Sequence, residues 1–298
     1  MNETILTVAI PTYNRPEAIR TQVMTLLPQL NERVRLVVYD NCSFPNIEEL
    51  FNDKELQRFF LVKNKVNVGG DANIARCFEN CETKWLWTLS DDDFVKPDSI
   101  EYILNILDQS EDTVFFNFQK DLSFQSSDFE SLSSMFKHPS VFSSSFTMSS
   151  CIYNIEKLKP SLIDYYSNLS SMVGTIILVL KYVERNSQAR CQFLDYSLIN
   201  SYNKEVGWDY RTFIKKSILF VYAFNSEKKD AKKYNKTLFL GYFLTNYWLI
   251  ATNRNKNSVS KKERLALLGL NIWRQGLLSA FIYCPKIIIK TFFSVCFS

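Results

Sequence analysis

The feature that most constrains this chain is the regular alternation, over residues 4–118, of short β-branched apolar runs with segments of helical period. Residues 4–10 (TILTVAI) read as a strand. Pro16 stands where a helix can begin, and Ile19, Val23, Leu26, Leu27 and Leu30 then recur at helical spacing. Residues 34–39 (VRLVVY) form a buried-type strand that runs into Asp40. A short strand is predicted over 59–62, a helix over 71–81 opened by Gly69-Gly70, and a strand over 85–89 that runs into Asp91-Asp92-Asp93. Asp98 and Glu101 have capping-box spacing ahead of another helix, and residues 113–118 form a fifth strand. Neighbouring parallel strands need long crossovers, so this pattern predicts an α/β fold with a mostly parallel sheet flanked by helices. On such sheets ligands bind beyond the carboxyl ends of the strands. Pro11-Thr12-Tyr13-Asn14, Asp40-Asn41 and the triple Asp all fall there.

Composition excludes several alternatives. The chain has 298 residues, 46% of them hydrophobic, which is enough for a sizeable core. A net charge of +4 on a balanced chain is too mild for a nucleic-acid binder. Seven scattered cysteines form no CxxC pair, and His138 is the single histidine, so the common zinc sites are excluded. The cysteines read as reduced thiols of a cytosolic protein. No secretory signal is visible, and the longest apolar runs are too short to span a bilayer. There are only 7 glycines, and the adjacent pair Gly69-Gly70 marks a backbone with a special task. Residues 121–145, rich in Ser and Phe, read as an irregular insertion. A strand is predicted over 149–154 and a buried helix over 172–182, and after Gly207-Trp208 the chain becomes helical, Lys-rich and aromatic.

Three carboxylates at a strand end suit a hard divalent cation, which takes oxygen ligands and keeps places for water and phosphate. A solvated acidic turn leading into the next helix is the ordinary alternative for the triplet taken alone. The order of the other motifs decides between the two. Ala9-Ile10-Pro11-Thr12-Tyr13-Asn14-Arg15 resembles the opening strand and loop of the glycosyltransferase family 2 enzymes. Asp40-Asn41-Cys42-Ser43 is similar to that family's segment after the second strand. Asn67-Val68-Gly69-Gly70 with Asn73 resembles its N-x-G…N segment. Leu89-Ser90-Asp91-Asp92-Asp93 followed by Pro97 is similar to its DXD region. All four stand in family order across roughly residues 4–110.

The resemblance implies a GT-A fold, an inverting transfer from a nucleotide sugar, and a divalent cation, Mn2+ or Mg2+. It implies donor contacts from Pro11, Thr12, Tyr13, Arg15, Asp40, Asn67, Gly69, Gly70, Asn73 and Asp91. Asp40 would accept the imide N–H of uracil or thymine. The metal would fall to Asp92, Asp93 and Asp91. Asp91 and Asp93 spell the motif literally, whereas counting back from Pro97 makes Asp92 the ligand, Asp91 a ribose neighbour and Asp93 a support. The second register is preferred. The chain departs from the family where many members carry a Glu-Asp pair, because Ser170-Ser171-Met172-Val173 holds no carboxylate. An inverting transfer needs a base, and the candidates are Asp164, Asp195 and Asp209, the last beside Trp208, which could stack on a sugar. His138, alone in a loop, reads as incidental.

From Ser258 to Ser298 there are six basic residues and one acidic. Arg264, Asn271, Arg274 and Gln275 share one helical face. A basic, aromatic, amphipathic segment suits an anionic membrane surface, and a helix packed on the protein's own core is the alternative reading. The expected organisation is a nucleotide-sugar-binding half over 1–120, an acceptor region over 121–210 and a helical tail over 211–298. The expected enzyme moves a sugar from a UDP- or dTDP-sugar to a glycan or lipid-linked acceptor in surface polysaccharide synthesis, at the inner face of the cell membrane. A sugar-phosphate nucleotidyltransferase would need a Gly-rich, basic triphosphate loop after the first strand, and here that loop is Pro-Thr-Tyr-Asn-Arg. A non-catalytic nucleotide-sugar-binding module is the other alternative.

Overall fold

The computed structural model describes residues 3–201, 209–224, 229–252, 259–276, 280, 282 and 284–297. They form two compact units. The first comprises Met1–Phe129, Ser144–Leu169 and Gly174–Asn203, and the second Glu130–Ser143, Ser170–Val173 and Lys204–Ser298.

The first unit is built on strands β1 (Leu6–Thr12), β2 (Val34–Asp40), β3 (Phe60–Lys63), β4 (Trp85–Thr88), β5 (Phe94–Val95), β6 (Thr113–Phe118), β7 (Phe124–Gln125), β8 (Cys151–Asn154), β9 (Arg190–Leu194) and β10 (Ile199–Ser201). Eight of them make one sheet in the order β3-β2-β1-β4-β8-β6-β9-β7, and β10 pairs with β5 in a small second sheet. The β3, β2, β1 and β4 strands are mutually parallel, with Thr12 level with Asp40 and Asp40 level with Lys63. The β8 strand runs antiparallel to both β4 and β6, and β9 is parallel to β6. The carboxyl ends of β1, β2, β3, β4, β6 and β9 therefore lie along one edge, where β8 begins.

The interior strands are apolar on both faces because helices cover both faces. On one side Ile19, Val23 and Leu26 of the Pro16–Leu26 helix and Ile100, Ile103, Leu104 and Leu107 of the Ser99–Leu107 helix pack on Leu6, Val8, Ile10, Leu36, Val38, Trp85 and Trp87. Each such aliphatic residue, once buried, contributes roughly 2 kcal/mol relative to exposure. On the other side Phe78 of the Gly70–Glu79 helix meets Tyr153 and Tyr165 edge to face, at 4.7 and 5.3 Å. The spacing of Asp98 and Glu101 predicts a capping box. Asp98 does stand at the helix N-cap, but its side chain makes no cap bond and instead accepts the Tyr196 hydroxyl at 3.0 Å. Tyr196 stacks on Tyr102 at 3.8 Å, so a distant aromatic pair outcompetes the local motif. The segment expected to be irregular over 121–145 is ordered as β7 and two short helices, Phe129–Met135 and Pro139–Ser145.

The second unit contains the helices Tyr210–Lys216, Leu219–Ala223, Lys229–Thr252, Lys261–Gln275 and Pro285–Phe297. Phe136, Phe142, Phe220 and Tyr242 form its aromatic core, with Phe142 and Phe220 at 5.0 Å. The polar face that Arg264, Asn271, Arg274 and Gln275 share on the Lys261–Gln275 helix is engaged within the second unit. Arg264 is buried and donates to the carbonyls of Ile250 and Ala251, and Asn271 pairs with Asn246. Tyr247 donates to Gln275, and Arg274 donates to the carbonyls of Ile214 and Lys215. These groups satisfy the backbone where chain segments converge, a role that the helical period alone does not reveal. Ser260 and Glu263 close the capping box that opens this helix. No helix among the described residues is long and apolar enough to cross a membrane.

Candidate active site

The loops after β1 and β2 are laced together by backbone and short polar side chains. The Asn41 N–H donates to the Thr12 carbonyl at 3.0 Å. Asn14, in the left-handed region at φ 53°, donates its N–H to Ser43 Oγ and accepts the Phe44 N–H on Oδ1. Asp40 is fully buried; its Oδ1 accepts the Ser43 N–H at 2.9 Å, whereas Oδ2 has no protein partner. A buried carboxylate oxygen without a donor is expensive, and an N–H brought by a ligand would satisfy it.

Four asparagines then shape the turn that leads to Gly69-Gly70. Asn41 Nδ2 donates to Asn67 Oδ1 at 2.8 Å, and its Oδ1 accepts from Asn64 Nδ2 and the Val68 N–H. Asn67 Oδ1 also accepts the Gly69 N–H at 2.9 Å. Asn64 Nδ2 donates to Asn73 Oδ1, and buried Asn73 donates to the Tyr39 carbonyl at 2.9 Å. Asn67 and Asn73, read from the sequence as donor contacts, are thus engaged in holding the loop. Gly69 sits at φ 87°, which excludes a side chain, and open space lies beside both glycines.

The triple Asp turn after β4 is held from three directions. Asp91 is buried; its Oδ2 accepts the Thr12 hydroxyl at 2.7 Å and its Oδ1 accepts Arg15 Nη1 at 2.8 Å. The same Arg15 nitrogen donates to Asp92 Oδ2 at 2.8 Å, and Ser90 Oγ donates to Asp92 Oδ1 at 2.5 Å. Ser149, just ahead of β8, donates to Asp93 Oδ2 at 2.5 Å and accepts the Ser90 N–H at 3.0 Å. Gln22 Nε2 ties the carbonyls of Ser90 and Asp93 at 2.9 and 2.7 Å. Burial pushes the Asp91 carboxyl above its ordinary value, and the Thr12 and Arg15 hydrogen bonds only partly oppose this. Among the described residues no three carboxylate, imidazole or thiol side chains converge as a metal cage. Asp92 and its neighbours offer instead the one or two hard oxygen ligands that suffice for a cation completed by water and phosphate.

Ser149 and Gln22 were not legible as site residues. Ser149 reaches the triplet only because β8 is inserted beside β4. Tyr13 lies exposed between Thr12 and Asn14.

The three base candidates are placed differently. Asp195 follows β9 at the carboxyl-end edge, exposed, with Oδ1 accepting the Asp121 N–H at 2.7 Å. Asp164, in the Leu162–Tyr166 helix, is ion-paired to Arg185 at 2.7 Å. Asp209, in the second unit, caps the Tyr210–Lys216 helix and pairs with Arg211 at 2.9 Å. Its partial burial raises the carboxyl, and the hydrogen bonds from Arg211 and Thr212 outweigh that and leave it below the ordinary range. A more acidic carboxyl is a poorer base. Gly207 and Trp208 lie outside the described residues. His138 lies in the second unit, its N–H on the Met135 carbonyl.

Comparison with known proteins matches this frame. Residues 7–149 match the family described as Glycosyl transferase family 2. No curated protein sequence matches the chain. Among solved structures, S. aureus TarS 1-349 aligns with a TM-score of 0.64 at 15% identity, over 98% of this chain and 90% of that one. The same TarS fragment in complex with UDP-GlcNAc aligns with a TM-score of 0.61 at 14% identity, over the same shares of the two chains. Of a longer TarS chain, this chain spans 54%. Glucosyl-3-phosphoglycerate synthase from Mycobacterium tuberculosis, in complex with Mn2+, UDP and glucosyl-3-phosphoglycerate, aligns with a TM-score of 0.53 at 10% identity, over 76% of this chain and 82% of that one. With four family-like motifs brought to one sheet edge, the chain carries over residues 7–149 a region that matches glycosyl transferase family 2, and it is a glycosyltransferase of the GT-A fold.

Proposed function

We propose that this glycosyltransferase moves a sugar from a pyrimidine nucleotide donor, a UDP-sugar before a dTDP-sugar, to a hydroxyl of a glycan or lipid-linked acceptor, with inversion and with a divalent cation. The observation that carries the reading is the juxtaposition of Asp40, Thr12 and the triple Asp on one strand-end edge. Asp40 Oδ2, buried without a partner, suits the imide N–H of uracil or thymine. Guanine offers a different donor pattern at that position. Open space beside Gly69 and Gly70 admits a nucleotide close to the backbone. Mn2+ or Mg2+, held by Asp92 with support from Asp91 and Asp93, would neutralise the departing diphosphate. Thr12 holds Asp91 in place, and Ser149 holds Asp93. Asp195 is the base candidate that shares the edge and has no cationic partner among the described residues, so it takes the acceptor proton. TarS with UDP-GlcNAc and the mycobacterial synthase with Mn2+ and UDP support the donor class and the cation by likeness of fold. Calorimetry with UDP, dTDP and GDP tests the donor. UDP and dTDP are expected to bind at least about tenfold more tightly than GDP, and Asp40→Ala to erase that preference. Tight GDP binding without UDP binding would sink this reading.

The location we propose is the anionic face of a membrane, reached through the Pro285–Phe297 helix. Ile288, Thr291 and Val295 are buried, while Ile289, Phe292, Phe293 and Phe297 are exposed beside Lys286 and Lys290. Phe293 and Phe297 stack at 5.8 Å on the outward face. No acidic residue stands on this helix. Each lysine near an anionic surface is worth about 1 kcal/mol, and the buried apolar area adds a part that salt does not screen. The full chain is expected to co-sediment with phosphatidylglycerol vesicles and not with neutral ones, and Ile289→Asp with Phe293→Asp to abolish this. Equal sedimentation of that double variant would exclude this helix as the contact.

A further inference from the structure

All four carboxylate oxygens of Asp91 and Asp92 are held by donors of the protein itself. Thr12 takes Asp91 Oδ2, Ser90 takes Asp92 Oδ1, and a single nitrogen of Arg15 bridges the remaining two, Asp91 Oδ1 and Asp92 Oδ2, at 2.8 Å each. Thr12 and Ser90 are short side chains fixed on β1 and on the turn. Arg15 is different. Its long side chain is 37% exposed and precedes the first helix, so it can swing without unfolding anything. Two adjacent carboxylates, one of them buried, repel each other unless a positive charge sits between them, and in this structure the guanidinium supplies that charge.

We infer that Arg15 is the resident counter-cation of the Asp91–Asp92 pair, exchanged for the divalent cation when the nucleotide arrives, so that cation and nucleotide bind as a coupled pair. This rests on the reading of Asp92 as a cation ligand and of this edge as the donor site. A guanidinium and a dication on the same carboxylate oxygen repel each other. Without a nucleotide the cation must therefore drive Arg15 into water. With a nucleoside diphosphate present, the released guanidinium gains an anionic partner whose oxygens suit its forked donors. The coupling is reciprocal, because each ligand raises the other's affinity by one shared factor. The residue thereby bridges the two carboxylates and keeps the acidic turn ordered until the donor is available.

The test is titration of the full chain with Mn2+, followed by electron paramagnetic resonance of the free ion, with and without saturating UDP. Wild type is expected to bind Mn2+ weakly alone and about tenfold more tightly with UDP. Arg15→Gln, and Arg15→Met as a second neutral variant that keeps the aliphatic stem, are expected to bind Mn2+ alone about fivefold more tightly and to lose the same factor from the UDP effect. Arg15→Lys keeps the charge and is expected to bind Mn2+ alone as weakly as wild type, with a smaller gain from UDP. A residue that merely braced the turn would weaken Mn2+ binding when replaced. Unchanged or weaker Mn2+ binding by both folded neutral variants overturns the inference and leaves the metal site standing. Absence of Mn2+ binding by wild type even with UDP overturns the metal site, and the inference with it.

Discussion

Asp92→Ala is expected to reduce kcat by roughly 10²–10³-fold while leaving the fold intact. On the proposed reading, the loss follows from removing a hard oxygen ligand at the place where diphosphate charge would develop. Stability should change by less than about 1 kcal/mol, because what disappears is one half of a partly exposed ion pair, and Arg15 retains Asp91. Asp91 has a different place: it is buried and engaged by Thr12 and Arg15, so its removal disturbs the loop as well as the charge. Turnover measured with and without EDTA, alongside thermal melting, checks both halves. Full turnover by Asp92→Ala, or undiminished wild-type turnover in excess EDTA, would refute the role. Asp195→Asn separates binding from chemistry: UDP affinity should persist while transfer falls, and full transfer would move the base elsewhere.

Gly241→Ala is expected to destabilise the second unit by about 3 kcal/mol or more, the upper range for forcing atoms into a packed site. In an exposed helix the same change would stabilise by up to about 1 kcal/mol, because alanine is the better helix former. Here a β-carbon at Gly241 of the Lys229–Thr252 helix would lie 1.6 Å from the Phe136 carbonyl oxygen and 2.8 Å from its carbon. Both atoms are backbone and cannot rotate away, so the clash decides the sign. Gly269, in the Lys261–Gln275 helix, is the matched control, because a β-carbon there meets nothing within 4 Å. Gly269→Ala should therefore be neutral or mildly stabilising. Denaturant midpoints for the two variants test the pair, and a Gly241→Ala protein as stable as wild type would contradict the packing described.

Local sequence determined the elements around the site and the edge on which its parts stand. Period-2 and period-3.6 apolar patterns report which faces are buried, so the β1, β2, β4 and β6 strands and the helices between them were legible from the residues alone. The polar residues that close those strands, Thr12, Asp40 and Asp91 to Asp93, were legible for the same reason, because a buried run must end where the chain leaves the sheet. Tertiary structure decided everything that depends on which distant segment comes alongside. The antiparallel insertion of β8 between β4 and β6 brings Ser149 to Asp93 across 56 residues of chain. Tyr196 draws the Asp98 side chain away from its predicted cap. Arg264 and Arg274, which share one face of their helix, reach carbonyls that only the folded second unit presents. The Arg15 bridge across Asp91 and Asp92 belongs to the same class. A local pattern encodes burial and period, whereas the partner of a charge is set by long-range pairing, whose free energy no single segment contains.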